Sequence, residues 1–99
     1  MNELVKLFDW LTDNAEQYGW TFEMMRGTKP QIVVYIGKTR IWDVVCFPGT
    51  YGYERGLLES MGMIVDEKAV GDTVEGYLSC EDVIERIYKT FGKLEKIDG

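Results

Sequence analysis

Tyr51, Tyr53, Glu54 and Arg55 are packed into FPGTYGYERG, where phenol, carboxylate and guanidinium groups lie closest together in the chain. Such groups are the parts of a small acid–base site, yet adjacent positions in sequence do not aim functional atoms at one substrate. A recognition surface asks for less special geometry. Tyrosine offers apolar area with a hydrogen-bonding tip, and Arg and Glu add charge and directional contacts. The competing structural reading is that the tyrosines cover a sheet while Gly49, Gly52 and Gly56 permit tight turns. Downstream, Glu59, Asp66, Glu67, Asp72 and Glu75 continue the run with mainly negative charge, and together with Tyr51, Tyr53, Glu54 and Arg55 they form the expected protein interface.

Other chemistry is sparse. The chain has no His, which removes the usual neutral-pH proton carrier and any His-containing metal site, though it does not exclude an enzyme. Two distant cysteines cannot make a thiolate zinc site, and the pairs Asp66–Glu67 and Glu81–Asp82 do not specify a metal's oxygen geometry. No catalytic residue, metal or cofactor is therefore assigned. Cys80 stands at a helix start, where a thiol pKa can fall, but Glu81 and Asp82 oppose ionisation and no His can partner it. It reads as packed and inert, and Cys46 as a strand residue. IGKT, at positions 36–39, lacks the long glycine-rich approach of a phosphate loop and falls between two strand-like runs, so it reads as a hairpin turn.

Composition narrows the class. Ninety-nine residues, 45% hydrophobic with three Trp, six Tyr and four Phe, suit one domain at 1–99 with its own core and a frayed tail at 96–99. The net charge is -6, and residues 54–82 alone sum to -6. An acidic chain repels phosphates, and Arg26, Lys29, Lys38 and Arg40 make only a small basic surface, so direct nucleic-acid binding is disfavoured. Unpaired cysteines, no leader-like segment and no apolar run of bilayer length give the expectation of a reduced, cytoplasmic protein without a membrane partner.

The elements that must carry these residues follow from periodicity. Leu4, Leu7, Phe8, Leu11, Ala15 and Tyr18 mark one face of a helix over 2–18, stopped by Gly19. Trp20, Phe22 and Met24 then alternate as a strand. Gln31–Ile36 and Thr39–Phe47 flank Gly37–Lys38 as a hairpin, with Trp42, Val44 and Cys46 on one face and Ile41, Val45 and Phe47 on the other. Within Tyr53–Met61 a loop up to Glu54 followed by a short middle helix is expected, with Leu57, Leu58 and Met61 inward and Gly62 as its cap. Met63–Asp66 and Thr73–Leu78 are possible further strands. Ser79 and Asp82 form a capping box, with Leu78 against Val83, for a helix over Cys80–Phe91 that Gly92 ends. The expected fold is α+β, a small antiparallel sheet of three or four strands with two main helices and the short middle one.

Trp42–Asp43, Pro48–Gly49, Tyr51–Glu54, Gly56–Leu58 and Ser79–Val83 carry a resemblance to small uncharacterised proteins of bacteriophages and integrated phage elements. The resemblance implies an accessory protein and supplies no catalytic assignment. The leading expectation is a non-enzymatic intracellular interaction module binding a host or phage protein. One alternative is an acidic anti-defence inhibitor competing with nucleic acid on a basic nucleic-acid-binding partner. The other is a small enzyme using Tyr, Glu or Cys, completed in a homo-oligomer.

Overall fold

A computed structural model of the chain describes residues 2–62 and 74–93. Helix α1 spans Asn2–Asn14 and tightens into a 3-10 turn over Ala15–Tyr18. Gly19 closes it in the left-handed conformation (φ 73°), donating its N–H to the Glu16 carbonyl at 3.0 Å. Five strands follow: β1 Thr21–Met25, β2 Gln31–Ile36, β3 Thr39–Val45, β4 Leu58–Gly62 and β5 Val74–Leu78. A second 3-10 turn, Tyr53–Arg55, precedes β4, and helix α2 spans Cys80–Phe91. The sheet is wholly antiparallel with its strands in chain order, β1-β2-β3-β4-β5, and the short β1–β2 and β2–β3 connections allow no other pairing for those strands.

Both helices lie on one face of this sheet. Leu4, Leu7, Leu11 and Ala15 from α1 and Val83 and Ile87 from α2 are buried with Ile32, Val34, Trp42, Val44, Cys46, Leu58 and Leu78. Alternation thus puts Trp42, Val44 and Cys46 inward, one of the two faces the sequence offers. Aromatic edges knit the layers: Trp20 meets Trp42 and Phe91 at ring-centroid distances of 5.7 and 4.9 Å. The start of α2 is capped in both directions, Asp82 N–H donating to Ser79 Oγ at 3.1 Å and Ser79 N–H to Asp82 Oδ2 at 3.0 Å.

A bulge decides what the other face carries. Val34 pairs with Trp42 but Tyr35 with Arg40, leaving Ile41 as the extra residue of β3. Ile41 therefore packs with the helix-side core rather than with Val45 on the opposite face. The same half-turn brings Arg40 and Asp43 to one side, although residues three apart in a regular strand point to opposite sides. Their charges meet at 2.7 Å (Arg40 Nη2 to Asp43 Oδ2), and Gln31 Nε2 donates to the same oxygen at 2.6 Å. Asp43 is only 3% exposed, so these two donors replace the water it loses.

One expectation is overturned. The short middle helix is present only as the 3-10 turn Tyr53–Arg55, and Leu58–Gly62 is strand β4, paired with β3 through Val44↔Ser60 and Trp42↔Gly62. Leu58 and Ser60 are buried and Met61 is exposed, the reverse of the inward Met61 that helical spacing demanded. A polar residue inside and an apolar one outside hid the strand's period of two. Gly62 is no helix cap: a Cβ there would stand 2.6 Å from the Ile41 carbonyl oxygen, so glycine permits the close approach of β3 and β4. The sheet accordingly has five strands rather than three or four. Met63–Asp66, the tail at 96–99, Asp66, Glu67 and Asp72 lie outside the described residues.

Candidate functional site

The chain leaves β3 through Phe47 and reaches β4 by a loop that is tied at almost every residue. Thr50 donates its N–H and its hydroxyl to the Phe47 carbonyl at 3.0 and 2.8 Å, and Phe47 N–H returns to Thr50 Oγ1 at 3.3 Å. The Gly52 carbonyl accepts from both Arg55 N–H (3.0 Å) and Leu57 N–H (2.9 Å). Gly49, Gly52 and Gly56 take φ of 99°, 98° and 70°, values that side chains with a Cβ rarely adopt. The loop is thus a built object whose shape its glycines make possible.

Its other wall is β5. The register of β4 and β5 shifts between Leu58↔Leu78 and Ser60↔Glu75, which places Gly76 and Tyr77 in a bulge opposite Glu59. Tyr77 N–H donates to the Tyr51 carbonyl at 3.2 Å, and Tyr51 N–H donates to Glu59 Oε1 at 3.2 Å. The approach is close enough to exclude side chains: a Cβ on Gly76 would overlap Tyr51 Cβ, and one on Gly52 would lie 3.0 Å from Tyr77 Cα and N. Two glycines therefore let two tyrosine-bearing segments touch backbone to backbone.

Between them lies an open cleft of about 480 Å³, lined by Pro48, Thr50, Tyr51, Tyr53, Glu54, Arg55 and Tyr77 with Gly49 and Gly52. Tyr51, Tyr53 and Tyr77 are 61%, 40% and 57% exposed. Tyr77 is the one non-glycine residue with positive φ (60°) among those described. A left-handed backbone costs a residue with a Cβ about 1–2 kcal/mol, and a bulky side chain there is a true outlier.

The expected site residues thus divide into groups. Tyr51, Tyr53, Glu54 and Arg55 line one cleft together. Glu59 is half-buried behind it, holding the Tyr51 backbone. Glu75 faces elsewhere: Arg86 grips it with Nη2 to Oε1 at 2.9 Å and Nε to Oε2 at 3.2 Å. That two-pronged ion pair ties β5 to α2 and removes Glu75 from any row of free acidic groups. Tyr77 was not anticipated; the one available signal was Gly76, since a glycine inside a strand often marks a bulge.

The Cys80 thiol does not join this cleft. Cys80 is 3% exposed and not among its lining residues. Burial pushes the Cys80 thiol up to about 11, with the charges of Glu81 and Glu3 adding to the rise and Lys6 opposing it. Among the described residues no group of three or more His, Cys, Asp or Glu is placed to hold a metal ion, and no helix is long and apolar enough to cross a membrane.

The fold and cleft together define a two-layer α+β domain with a tyrosine-lined corner. Comparison with family models, curated proteins and solved structures gives no match to this chain.

Proposed function

We propose that this protein is a non-enzymatic interaction module that binds another protein through the cleft formed by Tyr51, Tyr53 and Tyr77. The observation carrying this reading is Tyr77: an exposed aromatic residue in a left-handed conformation where glycine or asparagine would relieve strain. Folding stability alone gives no reason to place an aromatic ring there. Strain held at a surface cleft is a common mark of function, and tyrosine is among the residues that dominate protein–protein contacts. Gly52 and Gly76 support the same reading, because their missing side chains bring Tyr51 and Tyr77 side by side.

The test is peptide-display selection on the wild-type protein, followed by quantitative binding of the purified winners to a folded Tyr51→Ser/Tyr53→Ser/Tyr77→Gly variant. Loss of about tenfold or more in affinity is the expected result for a surface whose aromatic residues anchor the partner. Unchanged binding by the folded triple variant overturns this surface.

A further inference from the structure

Resting on that reading, we infer that the cleft takes a cationic side chain, arginine foremost, from a basic segment of a partner protein. The first ground is that two half-buried aromatic rings of the protein already have a cation over them. Lys29 Nζ lies 5.8 Å from the Phe47 ring centroid, and Lys93 Nζ lies 5.6 Å from that of Tyr88. Tyr51, Tyr53 and Tyr77 are more exposed than either ring's residue, and among the described residues none of the three is covered by a cation or stacked on another ring. Aromatic faces attract cations through their quadrupole, and a flat, weakly hydrated guanidinium suits them better than a compact ammonium.

Charge is the second ground. Glu54 lines the cleft, Glu59 stands behind Tyr51, and the chain as a whole carries -6. That field favours a basic segment over an acidic one. A purely apolar occupant would strip water from Thr50, Glu54 and Arg55 on the lining without replacing it. The volume of about 480 Å³ falls within the roughly 300–1,000 Å³ that ligand sites span. Arg55 is the lining's one positive group, and its removal separates attraction of a cation from mere apolar contact.

The experiment follows backbone amide signals by two-dimensional NMR while the full chain is titrated with a Gly-Arg-Gly-Arg-Gly peptide or its glutamine or glutamate counterpart. The arginine peptide is expected to give saturable shifts centred on residues 49–56 and 76–77, and the other two none. Tyr77→Gly and Glu54→Gln should each weaken it by about three- to fivefold, the size of a surface cation contact. Arg55→Gln should strengthen it by a similar factor. Equal binding of the glutamine peptide, shifts away from the cleft, or indifference to Tyr77→Gly and Arg55→Gln overturns the inference. The display selection keeps the two readings apart: cleft-dependent winners without basic residues remove the cation and leave the interaction module standing, whereas an absence of cleft-dependent winners removes both.

Discussion

Two residues apart in sequence, Ser79 and Tyr77 show opposite ways of using backbone free energy. Ser79 begins α2 with an extended backbone, a reciprocal pair of capping hydrogen bonds and a buried apolar residue on either side, Leu78 and Val83. Every local preference there agrees with the fold. At Tyr77 the backbone is left-handed, the neighbouring glycine is compulsory and the ring projects into solvent. Local preferences there are overruled, and the tertiary contacts that overrule them, Tyr77 to Tyr51 and Tyr51 to Glu59, are a few hydrogen bonds of ordinary length. The contrast separates a region optimised for folding from one that carries a conformational cost, and consistency at one site makes the inconsistency at the other informative.

That contrast can be broken from either side. The largest effect belongs to the helix side: Ile87→Ala, at a fully buried position where α2 meets the core, should lower unfolding free energy by about 2–5 kcal/mol in urea titration, because a cavity remains when the side chain goes. Next comes Gly76→Ala, whose new methyl group must displace Tyr51; a loss of about 1–3 kcal/mol is expected, with altered amide signals at residues 50–53. A wild-type spectrum for that variant would show that the two segments do not touch as described. Ser79→Ala should cost about 1 kcal/mol, the usual worth of a helix cap.

The opposite sign is expected at Tyr77. Tyr77→Gly should raise stability by about 0.5–1 kcal/mol, since relief of the left-handed strain exceeds the small packing contribution of an exposed ring. A clear loss would mean that Tyr77 is held for folding, and the comparison with Ser79 would collapse. A pH dependence is also expected. The Cys80 thiol is raised from 9.0 to about 11 in the folded chain, so the unfolded chain ionises first as pH climbs. Its contribution is whole below pH 9 and declines toward pH 11, and the stability gap between wild type and Cys80→Ala should narrow across that interval.

The helices were legible because their signals are local. Leu4, Leu7 and Leu11 repeat at the helical period and are buried, and Ser79 with Asp82 announces a helix start that forms as read. The β2–β3 hairpin was legible for the same reason, but alternation left open which face the helices cover, and the structure puts Trp42, Val44 and Cys46 there. Strand β4 was not. Its inward Ser60 and outward Met61 contradict the pattern that burial normally writes into a strand, and only pairing with β3 selects the extended form over a helix. Half of the candidate cleft followed from the sequence, as neighbours in one loop. Its second wall comes from a strand more than twenty residues later, across a register shift whose one local signal, Gly76, does not say which residues it brings together.

What the sequence by itself determined is therefore the helices, their caps, the central hairpin and a loop that glycines force to turn. Each depends on contacts between residues a few positions apart, where spacing and backbone preference are sufficient. Tertiary structure alone decided that Arg40 and Asp43 share a face, that Glu75 belongs to Arg86, and that Tyr77 joins Tyr51 and Tyr53. All three depend on bulges or on long-range pairing, and a single extra residue in a strand changes which side chains meet.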